Sequence, residues 1–354
     1  MPLTIIRDDI TKLDVDAIVN AANTELQAGG GVCGAIFSAA GHDKLQKDCD
    51  KLAPIKFGEA AITKGYALKA KYIVHAAGPI YRDGKSDEEQ QLYSCYKNSL
   101  DIAAKHKCES IAFPLISSGI YGYPKDEALT VATKAIGDWL MTGDMDVSLV
   151  VFDKAAFSLA KDLHGEIKTF IDENYVVKHV AEFEGKRSSY ESSVFLREDT
   201  SDKSLYTEAI KAPQPSMDMD MKPSVAMRPS AQAAKSGFDV QLDEPFSAAL
   251  LRLIDQKGKT DVETYKRANI DRKLFSKIRS GKGYMPSKKT AVALAVSLEL
   301  SLAETRELLE RAGFALSRSV MFDVIVEYFI TRRKYDIFEI NNVLFEYDQQ
   351  LLGG

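Results

Sequence analysis

Residues 16–41, DAIVNAANTELQAGGGVCGAIFSAAG, decide how the first half of this chain is read. The stretch opens on Ala17-Ile18-Val19, an apolar run short enough for a buried strand. Asn20-Ala21-Ala22-Asn23 follows, then three consecutive glycines, Gly29, Gly30 and Gly31. Val32 to Ala40 has helix-compatible composition, and Gly41 is placed to stop that helix. A strand, a glycine-rich loop and a helix in this order offer an anion a row of backbone N–H groups and a helix N-terminus. Adjacent glycines also remove every Cβ that would hold a phosphate or ribose off the backbone. Glycine runs equally make loops that are merely mobile, and GGG alone leaves both readings open.

Other blocks narrow the choice. PLISSGIYGYP at 114–124 is a second loop of small residues after an apolar run. Asp8-Asp9-Ile10-Thr11 precedes the first block, and Val74-His75-Ala76-Ala77-Gly78-Pro79 lies between the two loops. Taken in order, these four blocks resemble the macrodomain family over roughly residues 1–177. That resemblance implies an α/β three-layer sandwich that binds ADP-ribose. It assigns the adenine amino group to Asp9 and Ile10, and the diphosphate to Gly30, Gly31, Val32, Ser117, Ser118, Gly119 and Ile120. Asn23 and Tyr121 would face the distal ribose. Phe152 falls where the family often sets an aromatic beside adenine, with a core phenylalanine as the competing reading.

The same resemblance raises catalysis. In the MacroD-type hydrolytic branch, an Asp follows GGGV and a His stands four residues further on. Here those positions carry Cys33 and Phe37. Asn23 is retained, so Asn23 and Cys33 are the catalytic candidates. The resemblance implies hydrolysis of ADP-ribosyl esters, on protein or on O-acetyl-ADP-ribose, as the expected function, with a non-catalytic reader coupled to a DNA- or protein-binding helical domain as the alternative. A thiolate at a helix start is a third idea, with no histidine partner in the motif. His75, at the end of an apolar strand with no carboxylate or nucleophile nearby in sequence, is better read as structural.

Alternating segments complete the first region. Strands are expected at 3–6, 58–63, 71–76, 110–115 and 146–153, and helices at 88–106, 124–141 and 154–175. From about residue 178 to 240, Ser, Pro and the Met-Asp alternation at 217–221 give no apolar period, which reads as a flexible linker; 193–196 is the one apolar segment there. Residues 241–354 read as a separate all-helical domain. Segments 262–267 and 272–279 flank Ala268-Asn269-Ile270, with Asp261 and Asp271 as caps and Gly281 as a stop. This pair resembles the repressor-type helix-turn-helix family, and 286–302 resembles the helix that follows it. Residues 257–289 hold eleven Lys or Arg against three acids, a surplus of about +8. Arg272, Lys273, Ser276 and Lys277 would then face DNA. A solvated basic face on a protein-binding domain is the alternative.

Composition bounds the rest. The chain has 354 residues, 45% apolar and 27% charged, with a net charge of −5 that disfavours a general nucleic-acid coat. No apolar run approaches the length of a membrane span, and MPLTIIRDDI is unlike a signal peptide. Cys33, Cys49, Cys95 and Cys108 form no CxxC pair, so reduced thiols in a cytoplasm are expected, with no metal and no cofactor.

Overall fold

A computed structural model of the chain describes residues 2–151, 161–174, 244–281 and 284–353. Phe152, the linker expected over 178–240, the start of the helix expected at 154, and Lys282 lie outside the described residues. By contact, residues 1–175 and 244–354 form one unit.

Six strands build one sheet: β1 (Leu3–Arg7), β2 (Ala17–Ala22), β3 (Ala60–Lys64), β4 (Tyr72–Ala77), β5 (Ser110–Pro114) and β6 (Asp146–Val151). Their spatial order is β1-β6-β5-β2-β4-β3, parallel except for β3, which pairs antiparallel with β4. The central strands read as unbroken apolar runs because helices cover both faces. One face carries α1 (Gly31–Ala40) and α2 (His42–Leu52), whose Ile36, Phe37, Leu45 and Cys49 join Ile18, Ile73 and Ala112 in a core cluster. The other carries α3 (Glu88–Lys105) and α4 (Lys125–Leu140), packing Leu92, Tyr96, Ala132 and Ile136 over Val19, Val74 and Phe113. A further helix, α5, spans Lys161–Asn174.

Two local expectations change. Gly41, in a left-handed backbone region at φ +100°, both ends α1 and starts α2, a helix not anticipated from the sequence. And β2 runs on to Ala22, so most of the NAAN motif is strand rather than loop.

The C-terminal region is all helical: α6 (Phe246–Gln256), α7 (Asp261–Arg267), α8 (Arg272–Ser280), α9 (Lys288–Ser297), α10 (Leu302–Arg311), α11 (Met321–Thr331) and α12 (Ile337–Glu346). The helix anticipated over 286–302 stops at Ser297, and the next begins at Leu302 under a Ser301/Glu304 capping box. Asp271 caps α8 as expected. Thr260, not Asp261, caps α7; Asp261 instead pairs with Arg279.

These helices lie along the β1 side of the sheet. Asn269, in the left-handed turn between α7 and α8, bonds both backbone groups of Leu3: its Oδ1 accepts the N–H at 2.8 Å and its Nδ2 donates to the carbonyl at 2.9 Å. Lys266 Nζ donates to the carbonyls of Leu140, Met141 and Gly143 at 3.0–3.1 Å, placing a cation at the negative end of α4. Tyr328 donates to Glu166 on α5 at 2.7 Å. Arg7 pairs with Asp348 and lies 4.9 Å over the Phe345 ring. Among the described residues, no helix is long and apolar enough to cross a membrane.

Candidate ligand-binding site

At the carboxyl ends of the parallel strands, where open α/β sheets take ligands, lies a cavity of about 830 Å³. Its walls bring together Asp9, Ile10, Asn23, Gly30, Gly31, Val32, Cys33, Ser117, Ser118, Gly119, Ile120 and Tyr121.

Asp9 closes the turn after β1. Its Oδ1 accepts from the backbone N–H of Thr11 at 3.0 Å and from its hydroxyl at 2.7 Å. Those bonds, led by the hydroxyl, hold the carboxyl below the usual aspartate range, so it is ionised and keeps lone pairs for an outside donor. Asp9 is thus a turn cap and a cavity wall at once.

On the opposite wall, Gly30 caps α1 and Gly31 takes φ +63°, a conformation costly for a residue with a Cβ. The first-turn N–H groups of α1 have no intrahelical acceptor and border the cavity. Gly34, one turn in, was not singled out from sequence: a Cβ there would stand 2.6 Å from the Gly29 carbonyl oxygen. Asn23 holds its loop closed, Oδ1 accepting from Gln27 N–H at 3.0 Å and Nδ2 donating to Gln27 O at 2.9 Å. Cys33 lies in the third position of α1, buried, with its thiol 4.0 Å from the Gln27 carbonyl.

The second loop is shaped by its own backbone. Ser117 has φ +64°, Gly122 N–H donates to Gly119 O and Tyr123 N–H to Ser117 O, both at 3.0 Å. Ser118 Oγ donates to Leu115 O at 2.8 Å. The Ser117 hydroxyl is buried with no hydrogen-bond partner among the described residues, an orphan polar group on the cavity wall. It rests on Gly78, where a Cβ would stand 2.4 Å from that oxygen, which explains the glycine between β4 and Pro79. Ile120 is 81% exposed and reaches across the mouth, its Cδ1 3.3 Å from where a Gly30 Cβ would stand. Burial, with the Cys33 thiol adding to it, raises the Tyr121 phenol above its usual range.

Phe37 and His75 are elsewhere. Phe37 is 1% exposed in the core, 6.3 Å edge-on from the His75 ring. His75 is enclosed, Nδ1 3.1 Å from Asn20 Nδ2 and Nε2 2.9 Å from Thr63 Oγ1, and burial drives its pKa down to about 4. It is a neutral structural imidazole. The titratable groups on the described cavity wall are Asp8, Asp9, Cys33 and Tyr121.

In the helical region, Arg272, Lys273, Ser276 and Lys277 are exposed on α8. Most neighbouring cations are engaged: Lys257 with Glu304, Lys259 and Arg267 with Glu299, Arg279 with Asp261, Lys288 with Asp323.

The Macro domain family profile matches residues 19–132. A macro domain-containing protein of Mesorhizobium japonicum is 55% identical over 128 residues, 36% of this chain and 72% of that one. One from Listeria monocytogenes is 45% identical over 171 residues, 46% of this chain and 97% of its own. Among solved structures, an Oceanobacillus iheyensis macrodomain with ADP is 39% identical, covering 43% of this chain and 84% of that one at a TM-score of 0.41. A Trypanosoma brucei macrodomain in complex with ADP-ribose is 36% identical, covering 44% and 65% at a TM-score of 0.40.

Proposed function

This chain belongs to the macro domain family, and from that premise we propose that its cavity binds ADP-ribose and that the protein reads the ADP-ribosyl mark rather than removing it. Binding is supported by two walls of bare backbone around about 830 Å³, a volume suited to one nucleotide-sized ligand. On this reading, ionised Asp9 accepts from the adenine amino group. The α1 N-terminus and the Ser117–Ile120 backbone take the diphosphate, and the orphan Ser117 hydroxyl gains a partner. Asn23 and Tyr121 flank the distal ribose. Buried, unpaired thiols suit a reducing cytoplasm.

The observation that carries the reader function is the chemistry of the distal end. Cys33 and Phe37 replace the acid and the imidazole of the hydrolytic branch, and the Phe37 side chain is not on the cavity wall at all. A general acid or base contributes about 10²–10⁴-fold, so its loss converts a turnover site into a slow one. The hydrolytic reading retains one observation in its favour: Asn23 stands on the wall beside the glycine loop.

Incubation with a mono-ADP-ribosylated protein separates the two. The reader binds ADP-ribose and releases it from the protein at least about 10²-fold more slowly than Cys33→Asp does. Release by the unaltered chain that Asn23→Ala abolishes establishes the hydrolase instead.

For the helical region we propose contact with nucleic-acid phosphates through α8. Arg272, Lys273 and Lys277 are exposed there without an acidic partner among the described residues, while Lys259, Arg267 and Arg279 nearby are paired. Duplex DNA binding whose salt slope drops by about one unit for each of Lys273→Ala and Lys277→Ala supports this. Binding indifferent to both substitutions removes it.

A further inference from the structure

The loop that leads into the glycines is held from outside the cavity. Leu26, at φ +52°, turns its side chain into the core, where it is 1% exposed, and its N–H donates to Asn23 O at 3.1 Å. Gln46, on α2, grips the backbone on either side of Gln27 with one carboxamide. Its Oε1 accepts the Ala28 N–H at 3.0 Å and its Nε2 donates to Leu26 O at 3.3 Å. The same Nε2 lies 2.8 Å from Asp50 Oδ1, one turn further along α2, and that oxygen also accepts from Gln27 Nε2 at 3.1 Å.

We infer that Gln46 is a positioning residue for the distal half of the nucleotide site, fixing Asn23 and the approach to Gly29 although it does not line the cavity itself. The inference rests on the ADP-ribose reading of that cavity. Its physical basis is the distribution of anchors along the loop. Gly29, Gly30 and Gly31 have no side chains with which to fix their own course, so their placement is inherited from the residues before them. Ala28 is the last of these, and its N–H is bound by Gln46. Asn23 reaches its place through Gln27, which sits between the two backbone groups that Gln46 holds. A planar amide bonding one N–H and one C=O of the same loop does what a neighbouring strand would do, and α2 supplies it where no strand runs. Without that amide, the loop keeps Leu26 in the core but loses the register between Leu26 and Gly29.

The expected signature is selective. Calorimetric titration of the full chain compares ADP-ribose, which reaches the distal end, with AMP, which does not. Gln46→Met, similar in length and unable to make either bond, weakens ADP-ribose about tenfold and AMP less than threefold. Equal ADP-ribose affinity in Gln46→Met and the unaltered chain overturns the inference, as does equal loss for both nucleotides, which marks a general effect on the fold. An unaltered chain that binds neither nucleotide overturns the ADP-ribose reading, and the positioning role with it. The two failures are therefore distinguishable.

Discussion

The sheet is used in two opposite ways at its carboxyl ends and along its β1 edge. At the carboxyl ends the backbone is left bare: glycines and the left-handed Gly31 and Ser117 line an open cavity. Along β1 the backbone is covered, and both polar groups of Leu3 are matched by the Asn269 amide. Unsatisfied groups are tolerable where a ligand or water can reach them and costly where they are buried. The contrast therefore separates residues that govern affinity from residues that govern stability.

The largest effect lies on the covered edge. Asn269→Ala leaves the Leu3 N–H and carbonyl without their side-chain partners and puts in a left-handed turn a residue that tolerates that region less well than asparagine. Denaturant unfolding is expected to show a loss of about 3 kcal/mol, with ADP-ribose affinity changed less than threefold. Loss of affinity in proportion to stability would erase the distinction between the two regions. On the open side, Gly34→Ala forces a Cβ to within 2.6 Å of the Gly29 carbonyl and must displace the glycine loop. ADP-ribose binding is expected to weaken by about 30-fold, close to 2 kcal/mol, while the unfolding midpoint moves little by comparison.

A third expectation sharpens the contrast through pH. His75 is held neutral by burial, with a pKa of about 4 against an ordinary 6.5. Because the folded value is the lower one, its stabilising contribution is complete above pH 6.5 and lost as the pH falls toward 4. That amounts to about 2 kcal/mol between pH 7 and 5. ADP-ribose affinity stays flat over the same interval, since His75 is off the cavity wall and Asp9 is held ionised. His75→Gln, less stable throughout, lacks the slope; a His75→Gln chain with an unchanged slope assigns the pH dependence to other groups.

Local chemistry made much of this molecule legible from its residues. The glycine loop, the second small-residue loop and the alternation of strands and helices are each written in short contiguous stretches, and those stretches meet at one cavity. What stayed hidden is of two kinds. Helix α2, HDKLQKDCDKL, carries a periodic but thin apolar stripe, Leu45, Cys49 and Leu52 one turn apart with only the first two buried, in an otherwise polar segment that a search for apolar runs passes over. Gln46 looked like one more polar residue on that surface. Contacts across long sequence separations were the other blind spot: nothing near Asn269 indicates that its partner is Leu3, 266 positions away. The capping residue of α7 was misread by one position because Thr260 and Asp261 are both good caps, and Asp261 was already committed to Arg279. Phe37 shows the limit of reading by resemblance. The position fits the motif, yet its aromatic ring turns inward to pack against His75.

The amide that Asn269 lays against Leu3 has a consequence for how copies of the protein meet. A bare outer strand is a template on which an extended segment of another molecule can add, the usual first step toward fibrous association. Here the template is already filled at its first residue by a side chain from the same polypeptide, and Arg7, at the far end of that strand, is tied to Asp348. Addition at Leu3 is closed to strangers, and β3, ending at the exposed Lys64, is the opposite border of the sheet.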